Sequence, residues 1–188
     1  RSLVAKSTQT IALLVPDITN PFFPELVKGV QSVADEHGLL LLLVDAPADG
    51  EMLRARLKAL RRKQVDGILI VASELDGDVD EMFPDTPVVL LDRGASDRHA
   101  TVSVDQEAAG YDATRYLLAA GHTRIAHIAG PRELAVTRAR RAGWERALTE
   151  TGIPARDDHV VYGDFTEAGG DRAGAELFDA GAAPTGVV

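Results

Sequence analysis

The stretch TIALLVPDITNPFFPELVKGV, residues 10–30, decides the fold. Thr10 to Val15 form a short, continuous apolar run, the pattern of a strand buried on both faces. From Phe23 the spacing changes. Phe23, Leu26, Val27, Val30, Val33 and Ala34 recur at intervals of three and four, which places them on one face of a helix. Asn20 is a favoured N-cap and Pro21 a favoured first helical residue. Gly38 stands where a helix C-cap belongs. Capping accounts for "NP" and packing accounts for Phe23. Phe22 is left over: it lies about 100° from Phe23 on the helical wheel and has no core partner in the sequence pattern.

The same alternation continues outward. LLLLLV (39–44), GILIVA (67–72) and PVVLLD (87–92) read as further buried strands, and TVSVD (101–105) as a shorter one. A second helix carries Leu53, Leu57 and Leu60 on one face and Arg54, Arg56, Lys58, Arg61, Arg62 and Lys63 elsewhere; a solvated face is the commoner reading of such a run. Helices are expected over about 107–120, 136–151 and 167–180, with strands RIAHIAG (124–130), HVVYG (159–163) and PTGVV (184–188) between and after them. Alternating strands and helices imply parallel sheets, right-handed crossovers and helices on both faces. A short polar-ended strand followed by a new βα series implies two lobes. They are expected at 9–105 and 106–188, after a lead segment at 1–8, with the second lobe thin and incomplete.

Composition narrows the function. The chain has 188 residues, net charge −9 and no cysteine. A net negative charge does not attract a polyanion, so these residues by themselves make a poor nucleic-acid binder. Disulfide and thiolate–metal chemistry are excluded. No signal peptide and no run long enough for a membrane span is visible, so a cytoplasmic location is expected. The histidines, at 37, 99, 122, 127 and 159, have no metal-ligand spacing. No P-loop, G-x-S-x-G or H-E-x-x-H motif occurs, and GGDRAG (169–174) lacks the dinucleotide fingerprint and its place after the first strand. No cofactor, no metal and no enzymatic activity are expected.

Open α/β sheets bind ligands at the carboxyl ends of their strands. Those positions carry Asn20, Phe22 and Phe23 after the first strand, Asp92 and Arg93 after the fourth, Arg140 on a helix following RIAHIAG, and Phe165 after HVVYG. Each has an ordinary structural explanation when taken singly: a cap, a turn, a surface arginine, a core ring. Together they offer aromatic faces for C–H surfaces and amide, carboxylate and guanidinium groups for hydroxyls, which is the chemistry a sugar needs.

At these residues the sequence resembles the LacI/GalR family of transcription regulators. TIALLVPDITNPFFPELVKGV, VDGILI, PVVLLDR, GHTRIAHIAGP, RRAGW and GDFTEAGG occur in the family's order and near its spacing, over essentially the whole chain. The resemblance implies a homodimer with a helix-turn-helix, a hinge and a two-lobed core of the periplasmic-binding type. RSLVAKST looks like the end of the hinge, with Leu3 at the minor-groove wedge position. The helix-turn-helix would lie outside residues 1–188, and so would the rest of the second lobe. The resemblance to the ribose-binding periplasmic receptor implies effector contacts at Asn20, Phe22, Phe23, Asp92, Arg93, Arg140 and Phe165. Leu134 and Val136 depart from the polar residues of purine-type relatives, which argues against a nucleobase. The expectation is an effector-binding core in which a monosaccharide in the interlobe cleft shifts lobe closure and operator affinity. The alternative is a transport receptor with the same pocket.

Overall fold

The structure is a computed structural model and describes residues 7–46, 50–71, 76–92, 97–179 and 183–188. Leu3 and Arg93 lie outside the described residues. The chain divides into two compact units, Arg1–Ser103 and Val104–Val188.

The first unit is a five-stranded parallel sheet in the order β2-β1-β3-β4-β5, with β1 Thr10–Val15, β2 Leu40–Asp45, β3 Gly67–Ile70, β4 Val88–Leu91 and β5 Ala100–Val102. The apolar run of β1 is continuous because both of its faces are covered. Ala12 and Leu14 pack with Leu53, Leu57 and Leu60 of α2 (Gly50–Arg61). Leu13 and Val15 pack with Phe23, Leu26, Val27 and Val30 of α1 (Phe22–Glu36). Leu13, Leu14 and Leu57 are fully buried. Each contributes about 2 kcal/mol of hydrophobic stabilisation.

α1 ends as the sequence predicts. Gly38 takes a left-handed φ of 66°, and Leu39 N donates to Ala34 O at 2.9 Å, closing the last turn in a Schellman motif. The basic residues of α2 face out: Arg54, Lys58, Arg61, Arg62 and Lys63 are exposed, while Arg56 is half-buried and pairs with Asp45 at 2.9 Å.

Two features differ from the sequence expectation. A short helix, α3 (Asp76–Met82), lies between β3 and β4. Its sequence, DGDVDEM, offers too little apolar periodicity to announce a helix; Val79 and the following Phe83 anchor it in the same core as α2. The strict alternation also breaks once, since β4 and β5 are parallel neighbours with no helix described between them. Asp80 of α3 pairs with Arg98 (2.6 Å) and His99 (2.8 Å), which ties α3 to the lead into β5.

The second unit has three parallel strands in the order β7-β6-β8: β6 Ile125–Ala129, β7 Val160–Tyr162 and β8 Gly186–Val187. Ile125 and Ala129 pack with Trp144 and Leu148 of α5 (Ala135–Glu150), and Leu117 and Leu118 of α4 (Gln106–Ala119) join them. Ala126 faces the other way, toward Ala173 and Leu177 of α6 (Glu167–Asp179). Both sheets are therefore parallel and sandwiched by helices, the α/β class that the alternation implies.

Candidate functional site

β1 leads into an Asx turn. Asp17 Oδ1 accepts from Thr19 N at 2.8 Å and from Thr19 Oγ1 at 2.7 Å. The Thr19 hydroxyl, followed by its backbone N–H, holds the Asp17 carboxyl below its ordinary pKa. One residue on, Asn20 Oδ1 accepts from Phe22 N at 3.0 Å. Pro21 already has helical dihedrals, −56° and −21°. Asn20 therefore caps α1 and Pro21 is its first residue, as the sequence predicts.

The cap fixes the two phenylalanines. Phe23 is 8% exposed and sits in the core, whereas Phe22 is 49% exposed. Their rings meet edge to face, centroids 5.2 Å apart at 76°. Phe23 thus backs Phe22, and Phe22 is the ring left open at the carboxyl end of β1. At the end of β4, Asp92 has a φ of +53°, and its N–H donates to Val102 O at 2.8 Å. A non-glycine residue in the left-handed region is uncommon and strained; such residues concentrate at functional sites.

In the second unit, Phe165 follows β7 with a φ of +63° and is 39% exposed. Its loop is built around Asp164, whose Oδ1 accepts from Thr166 Oγ1 (2.5 Å) and Thr166 N (3.1 Å). Asp164 Oδ2 also accepts from Arg172 at 3.0 Å. The Thr166 hydroxyl is the main cause of a lowered Asp164 pKa. Thr166 Oγ1 in turn accepts from Gly169 N at 2.9 Å, which caps α6. Gly169 leaves room for the carboxylate, since a Cβ there would collide with Asp164 Oδ1. The Phe165 ring lies on Gly130 at the end of β6, in the space that a side chain at Gly130 would fill.

Arg140 is set by helix packing. A Cβ on Gly110 of α4 would strike the Arg140 carbonyl, and one on Gly143 of α5 would strike the Glu107 carbonyl. The two helices therefore meet backbone to backbone, one turn from the buried Trp144. This is why RRAGW has a glycine at its centre. Arg140 Nε donates to Gln106 Oε1 at 2.7 Å. Its neighbour Arg141 is committed to structure, bonding Glu145, Tyr162 Oη and Asp157 at 2.7 Å each. The Glu145 bond is the main reason its pKa is raised. Arg132 lies over the Tyr162 ring at 3.7 Å, a cation–π contact beside the Phe165 loop.

Within the first unit the structure brings Asn20, Phe22 and Phe23 to one strand end, and places Asp92 at another. Within the second it places Arg140 and Phe165. Sequence reasoning missed the left-handed conformations, the Gly130 seat and the Asp–Thr turns. The turns did have a signal: D-x-T occurs after a strand twice, at Asp17–Thr19 and Asp164–Thr166. Among the described residues there is no cluster of three metal-ligating side chains and no helix long and apolar enough to cross a membrane.

The family model described as "Periplasmic binding proteins and sugar binding domain of LacI family" matches residues 8–188. The chain is 34% identical over 190 residues to the HTH-type transcriptional repressor CytR of Escherichia coli (strain K12), covering 100% of this chain and 56% of that protein. It therefore spans about half the length of the curated relatives it matches. Among solved structures, the transcriptional regulator CelR–cellobiose complex superposes with a TM-score of 0.84 at 30% identity, covering 96% of this chain and 58% of that one. A LacI family transcriptional regulator from Enterococcus faecium with bound ribose gives 0.82 at 31% identity, covering 95% and 65%. With the family model matching nearly its full length, the chain belongs to the LacI family of sugar-binding domains and periplasmic binding proteins.

Proposed function

We infer that the chain is the effector-binding core of a cytoplasmic, homodimeric transcription regulator and that its effector is a monosaccharide. The observation that carries this is the pair of open aromatic rings, Phe22 and Phe165, each at the carboxyl end of a strand and each held by a dedicated cap and turn. Such rings stack on the C–H faces of a pyranose or furanose. Asn20, Asp92, Arg93 and Arg140 supply donors and acceptors for its hydroxyls. The apolar Leu134 and Val136 offer no side-chain hydrogen bonds of their own to a nucleobase edge. A sugar with different affinity for two forms of the core shifts the equilibrium between them by that difference. Operator DNA is read by a helix-turn-helix outside residues 1–188, with Leu3 as the minor-groove wedge. The proposed group set is one for binding.

Supporting this reading, the matched relatives are transcriptional repressors and two superposed regulators hold sugars. The test is a thermal-shift screen against pentoses, hexoses and their phosphates. The expected result is a concentration-dependent rise in melting temperature with one free sugar. A rise with nucleosides and with no sugar would overturn the effector assignment.

A further inference from the structure

Six of the chain's 20 lysines and arginines fall within ten residues, in a chain of net charge −9. They are Arg54, Arg56, Lys58, Arg61, Arg62 and Lys63. The helix dipole favours cations in the last turn of α2, and that explains one or two of them. It does not explain three in succession running past the end of the helix at Arg61. All three of that run, Arg61, Arg62 and Lys63, are exposed.

Their location is specific. Thr8 Oγ1 donates to Gln64 O at 2.9 Å, and Asp66 N donates to Thr10 O at 2.7 Å. The basic run therefore borders the point where the chain leads into β1. The acid beside it, Asp66, is occupied: it accepts from Ser7 Oγ (2.7 Å), Thr8 N (3.1 Å) and Thr10 N (3.4 Å). On the other side of β1, Leu40 N donates to Gln9 O at 2.7 Å, and the α1–β2 turn brings Asp35 and Glu36. The amino end of this sheet thus carries Arg61, Arg62 and Lys63 before β3, with Asp85 before its neighbour β4, and Asp35 and Glu36 before β2.

We propose that Arg61, Arg62 and Lys63 bind the phosphate backbone of duplex DNA flanking the operator, on the β3 side of the lead into the first unit. The inference rests on the regulator reading above, in which the segment before Ser7 runs to the DNA-binding domain. Charge complementarity selects the occupant. Net charge keeps the core from binding DNA alone. Tethering through the lead segment raises the local DNA concentration to about the millimolar range, where a three-cation patch contributes.

The test uses the full-length regulator, helix-turn-helix included, and a labelled mixed-sequence duplex of about 40 base pairs read by anisotropy between about 50 and 200 mM NaCl. Replacing Arg61, Arg62 and Lys63 together by glutamine should flatten log K against log salt by about 5, since the homodimer carries the patch twice and each phosphate contact contributes about 0.9. Binding at the lowest salt should weaken about tenfold or more, equally for any sequence. The single change Arg62→Gln should flatten the slope by about 2, one contact from each protomer. Neutralising Asp35 and Glu36 (D35N, E36Q) should tighten binding at low salt, an effect that loss of folding cannot mimic. An unchanged slope in a triple variant with wild-type melting temperature overturns the phosphate patch alone. A wild-type protein that binds no duplex at the lowest salt overturns the regulator reading and the patch with it.

Discussion

Two turns in this protein solve one problem differently. DITNPFF at residues 17–23 and DFTEAGG at residues 164–170 both follow a strand and begin a helix. In each, an aspartate accepts from the backbone and the hydroxyl of a threonine two residues on. In the first, Asn20 is added as a separate cap, so the presented ring, Phe22, rides unstrained on the first turn of α1. In the second, Thr166 serves both the turn and the cap, so the ring must come from the residue between aspartate and threonine. That residue, Phe165, is left-handed and leans on Gly130; its counterpart Ile18 has no positive φ. An added Asn-Pro pair trades length for relaxed backbone. The compact version stores strain and depends on two glycines, Gly169 within it and Gly130 at the end of β6.

The largest expected effect is on the compact turn. Gly169→Ala drives a methyl group into the Asp164 carboxylate and toward its backbone nitrogen. It should cost about 1–3 kcal/mol, measured by urea unfolding. The first turn holds no glycine at all, so alanine at Asn20, Pro21 or Phe22 should spare the Asp17–Thr19 geometry. Next comes the seat. Gly130→Ala meets only the end of the Phe165 ring, which can swing away. Sugar affinity should drop about tenfold, some 1.4 kcal/mol, with much less loss of stability. Phe165→Gly should separate strain from function, weakening sugar binding as strongly while relieving about 1–2 kcal/mol of left-handed backbone. Phe22→Gly removes a helical residue and has no strain to relieve, so it should only destabilise.

A smaller difference separates the threonines. Thr166→Ala removes a cap and a turn bond and should cost about 1 kcal/mol. Thr19→Ala leaves the Asn20 cap intact and should stay within about 0.5 kcal/mol. The smallest effect is acid sensitivity. Both aspartates have pKa values lowered from 3.8, so their contribution is complete above that pH and fades as pH falls through the lowered values. Asp164→Asn and Asp17→Asn should each reduce the loss of stability below about pH 4, seen in melting temperature against pH. A contrast comes from His127, buried and stacked on Trp144, whose pKa burial pushes below 6.5. Its depressed value makes unit-two stability fall as pH drops below 6.5, well before either turn responds.

Much of the first unit was legible because its signals are local. Asn20 and Pro21 announce a helix start, Gly38 its end, and the period change from Val15 to Phe23 marks strand against helix. Leu13 and Leu14 face opposite cores, which a continuous apolar run implies. Helix α3 was hidden because few apolar residues, Val79, Met82 and the following Phe83, pack it on the core, beside the leucines of α2. The second site was less legible for the same reason. The seat of Phe165 is Gly130, and the close approach that positions Arg140 pairs Gly110 with Gly143. Each pairing joins residues some thirty positions apart, and single-sequence patterns carry no such distance. Phe165 gave no hint of positive φ because a bulky ring disfavours it, whereas Asp92 belongs to a residue type enriched there and gave a weak one.

The central proposal is that Phe22 and Phe165 each stack on the sugar. Isothermal titration of the sugar found by thermal shift, on wild type, Phe22→Ala, Phe165→Ala and the double variant, tests it most directly. Sugar affinity should fall about tenfold or more in each single variant and no less in the double. Undiminished affinity in either single variant would show that its ring lies outside the site, and would contradict the account.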